Sequence, residues 1–281
     1  MQFFVKPISI AAIILITANH SFAQDSIWVS YFGRGAQALE QGTYVEAEHM
    51  FRAAIDEAGK AAKSKNPNAI GMMSDSLSGL SAALRGQGKY ADAESVVRKQ
   101  LQLLEITYGE RHPDYAKTLN NLGLLLSEQK KYKEAEEIHR RALKLREKYD
   151  EPPRRNMAVS LLNLGKIYYE QGKNSEAEAL FSQARSIFVN IPREAIIPED
   201  VDSLLMCEHN LALVYVEQKK YDEAEIRYKA VILLTEKLKG DMHPDLLLTL
   251  ENYAKLLRLT NRPEQAVKLE NRRKLILNNM Q

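Results

Sequence analysis

"LGLLLSEQKKYKEAEEIHRRA" (122–142) and "LGKIYYEQGKNSEAEALFSQA" (164–184) are one motif written twice. At an offset of 42 residues they share the Leu-Gly pair, a Glu-Gln pair and a Glu-Ala-Glu triplet. "LALVYVEQKKYDEAEIRYKAV" (211–231) and "LSAALRGQGKYADAESVVRKQ" (80–100) fall in the same register. Residues 34–54 and 253–273 are weaker copies. The alanine of the triplet recurs at Ala47, Ala93, Ala135, Ala177, Ala224 and Ala266, in steps of 46, 42, 42, 47 and 42. Six copies in one register mark an internal repeat.

Each copy reads as a helical hairpin. Leu119, Leu122 and Leu126 lie at helical spacing on the first helix. A turn such as "EQGK" follows, where Gly supplies the left-handed conformation that ends a helix. The second helix is predicted to start at Tyr44, Tyr90, Tyr132, Asn174, Tyr221 and Pro263. Gly123, Gly165, Ala212 and Ala254 let the paired helices approach closely. One hairpin cannot bury its own apolar face, so the units must stack into a solenoid. The longer steps place insertions at 64–70 and 189–201, both with proline; "DEPPRRN" (150–156) is a loop of the same kind without added length. None reads as a domain linker.

The order small residue, turn aromatic, Glu-Ala-Glu, final Ala resembles the tetratricopeptide repeat. The 42-residue step is similar to the kinesin-light-chain type of that repeat. "YGERHPDYAKTLNNLGLLLSEQKKYKEAEEIHRRAL" (108–143) matches its signature nearly end to end, and "KGDMHPDLLLTLENYAKLL" (239–257) repeats the first half. The resemblance implies an all-α, right-handed superhelical solenoid of six hairpins over residues 24–281. The repeats fall at approximately 27–63, 73–108, 115–149, 157–190, 204–239 and 246–280.

Composition narrows the function. Thirty-nine Lys and Arg against thirty-seven Asp and Glu leave a net charge of +2, with no basic excess to neutralise nucleic-acid phosphates. The first residues, "MQFFVKPISIAAIILITANHSFAQ", hold one Lys, a short apolar run and Ser21-Phe22-Ala23. This is the pattern of a secretory signal peptide over residues 1–23, cut between Ala23 and Gln24. The expected setting is the bacterial periplasm or the exterior, with no stable membrane insertion after cleavage. Cys207, the single cysteine, has no partner in the chain and reads as a small buried apolar side chain.

No phosphate loop, nucleophile elbow or HExxH motif occurs. His112-Pro113-Asp114 and His243-Pro244-Asp245 stand at equivalent repeat positions, where Pro and Asp suit a first helical turn. Cys207 and His209 are two apart, on different helix faces, so a shared metal is not expected. The expectation is no enzyme, no metal and no cofactor.

A recurring asparagine carries the binding expectation. Asn121, Asn163, Asn210 and Asn252 occupy one first-helix position in four successive repeats, with Gly33 and Gly79 there in the first two. An amide both donates and accepts, so a ladder of them can pair with an extended peptide backbone. The resemblance implies this role; the alternative is that each Asn bonds a neighbouring helix and only stabilises stacking. Lys117, Lys166, Lys255, Glu128, Glu170 and Glu217 are expected on the same face, to meet charged groups of a ligand. The function expected is a protein-protein interaction scaffold that takes a peptide or protein in its concave groove. A structural spacer that self-associates through its end repeats is the alternative of another class, and an enzyme with a dispersed site is a third.

Overall fold

All six hairpin turns hold one residue in the left-handed region: Gly42, Gly88, Lys130, Gly172, Lys219 and Asn261, with φ between 58° and 74°. The computed structural model describes residues 26–152 and 154–280. In each turn the following N–H donates back to a carbonyl five residues earlier, as from Lys131 to Leu126 at 2.8 Å and from Arg262 to Leu257 at 2.8 Å. This 6→1 bond closes the first helix and aims the chain into the second. The second helices start at Tyr44, Tyr90, Tyr132, Asn174, Tyr221 and Pro263, the residues the repeat alignment marks.

Among the described residues there are twelve α-helices and no strand. By contacts the chain forms two compact units, one ending at Asp150 and one beginning at Glu151. The first holds α1 (Ser26–Glu40), α2 (Tyr44–Lys63), α3 (Ala69–Gly86), α4 (Tyr90–Tyr108), α5 (Pro113–Glu128) and α6 (Tyr132–Tyr149). The second holds α7 (Arg155–Glu170), α8 (Asn174–Val189), α9 (Pro198–Glu217), α10 (Tyr221–Lys239), α11 (Leu246–Leu259) and α12 (Pro263–Asn278), with a 3₁₀ turn at Arg193–Ala195. Each unit is thus three consecutive hairpins, the all-α repeat fold expected. The predicted signal peptide, with Ala23 and Gln24, lies outside the described residues.

In four of the hairpins a large side chain of the second helix is set against a small residue of the first. In the first unit Phe51 sits between Gly35 and Gly79, where an added Cβ would lie 3.0 and 2.3 Å from its ring. His139 fills the same slot against Gly123, at 2.5 Å from such a Cβ. In the second unit Phe181 lies against Gly165, at 2.6 Å from such a Cβ. Tyr228 takes that place near Ala212 and Ala254 and stacks on Tyr253 at 5.9 Å between ring centroids. All six triplet alanines are fully buried beside these contacts.

The Glu-Ala-Glu and Glu-Gln-x-Lys pieces of the motif meet between hairpins. Gln87 and Lys89, in one turn, both donate to the Glu48 carboxylate of the preceding hairpin, at 2.8 and 3.2 Å. Gln129 and Lys131 grip Glu94 in the same way at 2.8 and 3.0 Å, and Gln218 and Lys220 grip Glu178 at 2.9 and 3.2 Å. At Glu225 the donors are Arg262 and the Tyr253 hydroxyl, at 2.7 and 2.9 Å. Bonds from Arg52 and Gln87 hold Glu48 down at about 2. At Glu94 burial raises the carboxyl, but Gln129, Arg98 and Lys131 outweigh it and leave it at about 2. Burial is likewise overcome at Glu225 by Arg262, Lys229 and Tyr253, leaving about 2.

Four expectations about stability follow from this geometry. Lys130 and Lys219 hold a conformation that strains any residue with a Cβ, so Lys130→Gly and Lys219→Gly should each add roughly 0.5–1 kcal/mol in urea unfolding. Gly165→Ala forces a methyl into Phe181 and should destabilise by about 1–3 kcal/mol. Gly71→Ala, in a helical site with nothing within 4 Å, should stabilise by about 0.5–1 kcal/mol. The clamp carboxylates have lowered pKa values in the folded chain. Their stabilisation is therefore complete above the unfolded carboxylate range and is lost as pH falls from about 4.5 toward about 2. Denaturant titrations from pH 7 to 2 should show that loss, and Glu94→Gln should flatten it while lowering stability at pH 7.

Candidate peptide-binding face

The asparagine position is less open than its helical spacing suggests. Gly79 shows why: its Cα lies against the Phe51 ring of the preceding hairpin. A side chain there starts in the seam between hairpins, and its exposure depends on what that seam leaves room for.

In the first unit, Asn121 on α5 is half-buried, and its amide has no partner among the described residues. Lys117, one turn earlier, is half-buried and lies near Asp75 of α3, which holds the equivalent position in its own repeat. Burial pushes Asp75 up to about 6, while Lys117 pulls it down and Asp114 adds to the rise. An ionised Asp75 therefore lowers stability as pH rises through that value. Glu128, the last residue of α5, is gripped by the Arg85 guanidinium, whose Nε lies 2.8 and 2.9 Å from the two carboxylate oxygens. This carboxylate already has its cation, so it does not wait for a basic ligand.

In the second unit the four-residue pattern divides. Asn163 on α7 is half-buried, with no amide partner among the described residues. Lys166 is half-buried one turn later, and Glu170 is exposed at the helix end. Asn210 on α9 is only 3% exposed, and its buried Oδ1 accepts no hydrogen bond. Asn252 on α11 is fully buried, and its amide donates to His209 Nε2 at 3.1 Å. His209 Nδ1 then carries the proton and donates to Thr249 Oγ1 at 3.0 Å. Asn252 thus follows the stacking alternative: it bonds the neighbouring helix. Lys255 is exposed but paired with Glu251 at 2.6 Å, and Glu217 accepts from the Tyr169 hydroxyl at 3.5 Å.

One buried polar pair escaped the reading by repeat position. Asn120 is buried and lies 3.2 Å from Nδ1 of the fully buried His139. His139 departs from the apolar residues of its column. His139 stands where other repeats carry Phe51, Val97, Phe181 and Tyr228, whereas the Asn120 column is mixed, with Ser78, Leu162, His209 and Glu251. The histidines of the two His-Pro-Asp triplets cap: Nδ1 of His112 accepts from the Asp114 N–H at 3.3 Å, and Nδ1 of His243 accepts from the Asp245 N–H at 3.2 Å. Cys207 is fully buried, and burial pushes its thiol well above the ordinary range. Among the described residues no group of three or more His, Cys, Asp or Glu is placed to hold a metal ion.

The tetratricopeptide repeat family model matches residues 72–148, 124–188 and 203–273. No curated protein sequence matches the chain. Among similar solved structures is BtubC (BKLC) from P. vanneervenii, 21% identical, with 86% of this chain and 92% of that one covered and a TM-score of 0.70. The repeats of a putative kinesin light chain from Podosopora anserina are 19% identical, with 73% of this chain and 95% of that one covered and a TM-score of 0.59. The apo form of the quorum sensor NprR from B. thuringiensis is 14% identical, with 94% and 69% covered and a TM-score of 0.63. These likenesses are likenesses of fold. The family model covers more than half of the chain, and the chain belongs to the tetratricopeptide repeat family.

Proposed function

We propose that the chain is an exported, non-catalytic interaction module that binds a protein or peptide along the faces of its first helices. The observation that carries this reading is the pair of half-buried amides, Asn121 and Asn163, at one repeat position and without partners among the described residues. An unpaired amide in a seam offers a donor and an acceptor to a peptide backbone without regard to its sequence. Asn210, 3% exposed, lies outside the reach of a ligand and is not part of the binding set. Lys117 and Lys166 stand beside these amides and supply charge selectivity. Asn252 and Glu128 lie outside the binding set, because His209 and Arg85 already engage them. Residues 1–23 support export to a periplasmic or secreted location. Among the described residues no helix is long and apolar enough to cross a membrane.

A second reading, self-association as a spacer, is favoured by one observation. The last two hairpins expose Leu233, Leu259 and Leu275, each by more than half. Exposed apolar patches of that kind serve as contact surfaces between chains.

Immobilised full chain, offered a periplasmic extract, tests the two. Capture of specific partners, weakened at least about tenfold in an Asn121→Ala, Asn163→Ala double variant that melts normally, is the expected result. Full retention of every partner by that variant contradicts the amide reading. Asn252→Ala should instead lower stability by about 1–3 kcal/mol, because it strips His209 of a buried partner. Concentration-dependent oligomers with no captured partner favour the spacer.

A further inference from the structure

The longest step in the repeat, 47 residues between Ala177 and Ala224, lengthens the segment that follows α8. Its extra residues run over the open end of the α7–α8 hairpin and wall an open cleft of about 800 Å³. That volume is in the range of small-molecule sites, which are mostly apolar with a few polar groups. Met157 and Leu161 of α7, Ile187 of α8 and Pro192 of the inserted segment give the cleft its apolar lining.

The wall is held in place. Arg155 grips Asp200 through two bonds, at 2.6 and 2.9 Å, and also donates to the Ala195 carbonyl. Asp200 is buried, and it accepts from the Ile197 N–H at 2.9 Å as the N-terminal cap of α9. Ile191 is buried beneath the same segment. The cleft therefore exists before any ligand arrives, so ordering it consumes little binding free energy.

One charge lines it. Arg154 precedes α7 in a left-handed conformation, φ 58°, with its side chain exposed and without an ionic or hydrogen-bonded partner among the described residues. No acidic residue lines the cleft. Arg155, next to it, is committed to Asp200, so only Arg154 has a guanidinium to offer. Its planar fork matches a carboxylate in two parallel bonds.

From the lining, the latched wall and the single unpaired guanidinium, we infer that this cleft is a ligand site for an apolar group that ends in a carboxylate. Two sources share that chemistry: a free fatty acid, and the terminus of a peptide with apolar last residues. The site is separate from the asparagine positions on the first helices.

Calorimetric titration of the full chain tests the inference. The probes are decanoate, decanol, the tripeptide Leu-Leu-Leu with a free carboxylate, and its amide. Saturable one-to-one binding of decanoate or the free tripeptide is expected, weakened about tenfold by Arg154→Gln. Decanol and the tripeptide amide should bind more weakly than the acids and ignore Arg154→Gln. Ser186→Trp, at an exposed lining position, should block all four while leaving the melting curve unchanged. The tighter of the two acids identifies the source. Absence of saturable binding by either acid, equal affinity of acid and neutral analogue, or full affinity in Arg154→Gln would overturn the inference.

Discussion

The fold depends on a ring placed where a side chain is missing. Phe51 lies between Gly35 and Gly79, His139 on Gly123 and Phe181 on Gly165, each within a distance that leaves no space for a Cβ. This contact sets how closely the two helices of a hairpin approach. In the case of Phe51 and Gly79 it also sets how closely the next hairpin can stack. The hydrophobic payload of the ring and the lost volume of the glycine are two halves of one interaction. Larger small residues, as at Ala212 and Ala254, are matched by Tyr228, whose ring packs among Tyr253 and His209.

The same contact decides what the recurring asparagines can do. They stand at the repeat position of Gly79, which lies against the Phe51 ring of the preceding hairpin. Where the seam also holds a polar partner, as His209 does for Asn252, the amide becomes part of the packing. Asn121 and Asn163 have no side-chain partner among the described residues, and each amide stays half-buried with its donor and acceptor unused. One sequence column thus divides into packing and binding members, and the division follows from the neighbouring helix. Charges sort in the same manner: Glu128 belongs to Arg85, while Lys117 lies near Asp75.

Much of this was legible before any coordinates. The six second-helix starts follow from the alanine register, because repetition averages out the local ambiguities of propensity. The turns were legible too, even at Lys130 and Lys219, since the repeat forces those lysines into the φ that Gly42, Gly88 and Gly172 adopt freely. The role of Glu48, Glu94 and Glu178 was not, although their triplet was the clearest motif. Helical spacing describes one helix at a time, and these carboxylates act across hairpins, on donors 35 to 42 residues away. The burial of Asn210 and Asn252 was hidden for the same reason. So was the Arg85–Glu128 pair, in which Arg85 is matched by Ser127 in the next copy and gives no repeat signal.

The central claim is that one column of asparagines is split between packing and binding. Side-chain amide exchange, followed by NMR on the free chain, tests it most directly. The account predicts strong protection of the Asn252 amide, locked to His209, and rapid exchange at Asn121 and Asn163. Protection at Asn121 and Asn163 equal to that at Asn252 would mean that all are packing residues, and would contradict it.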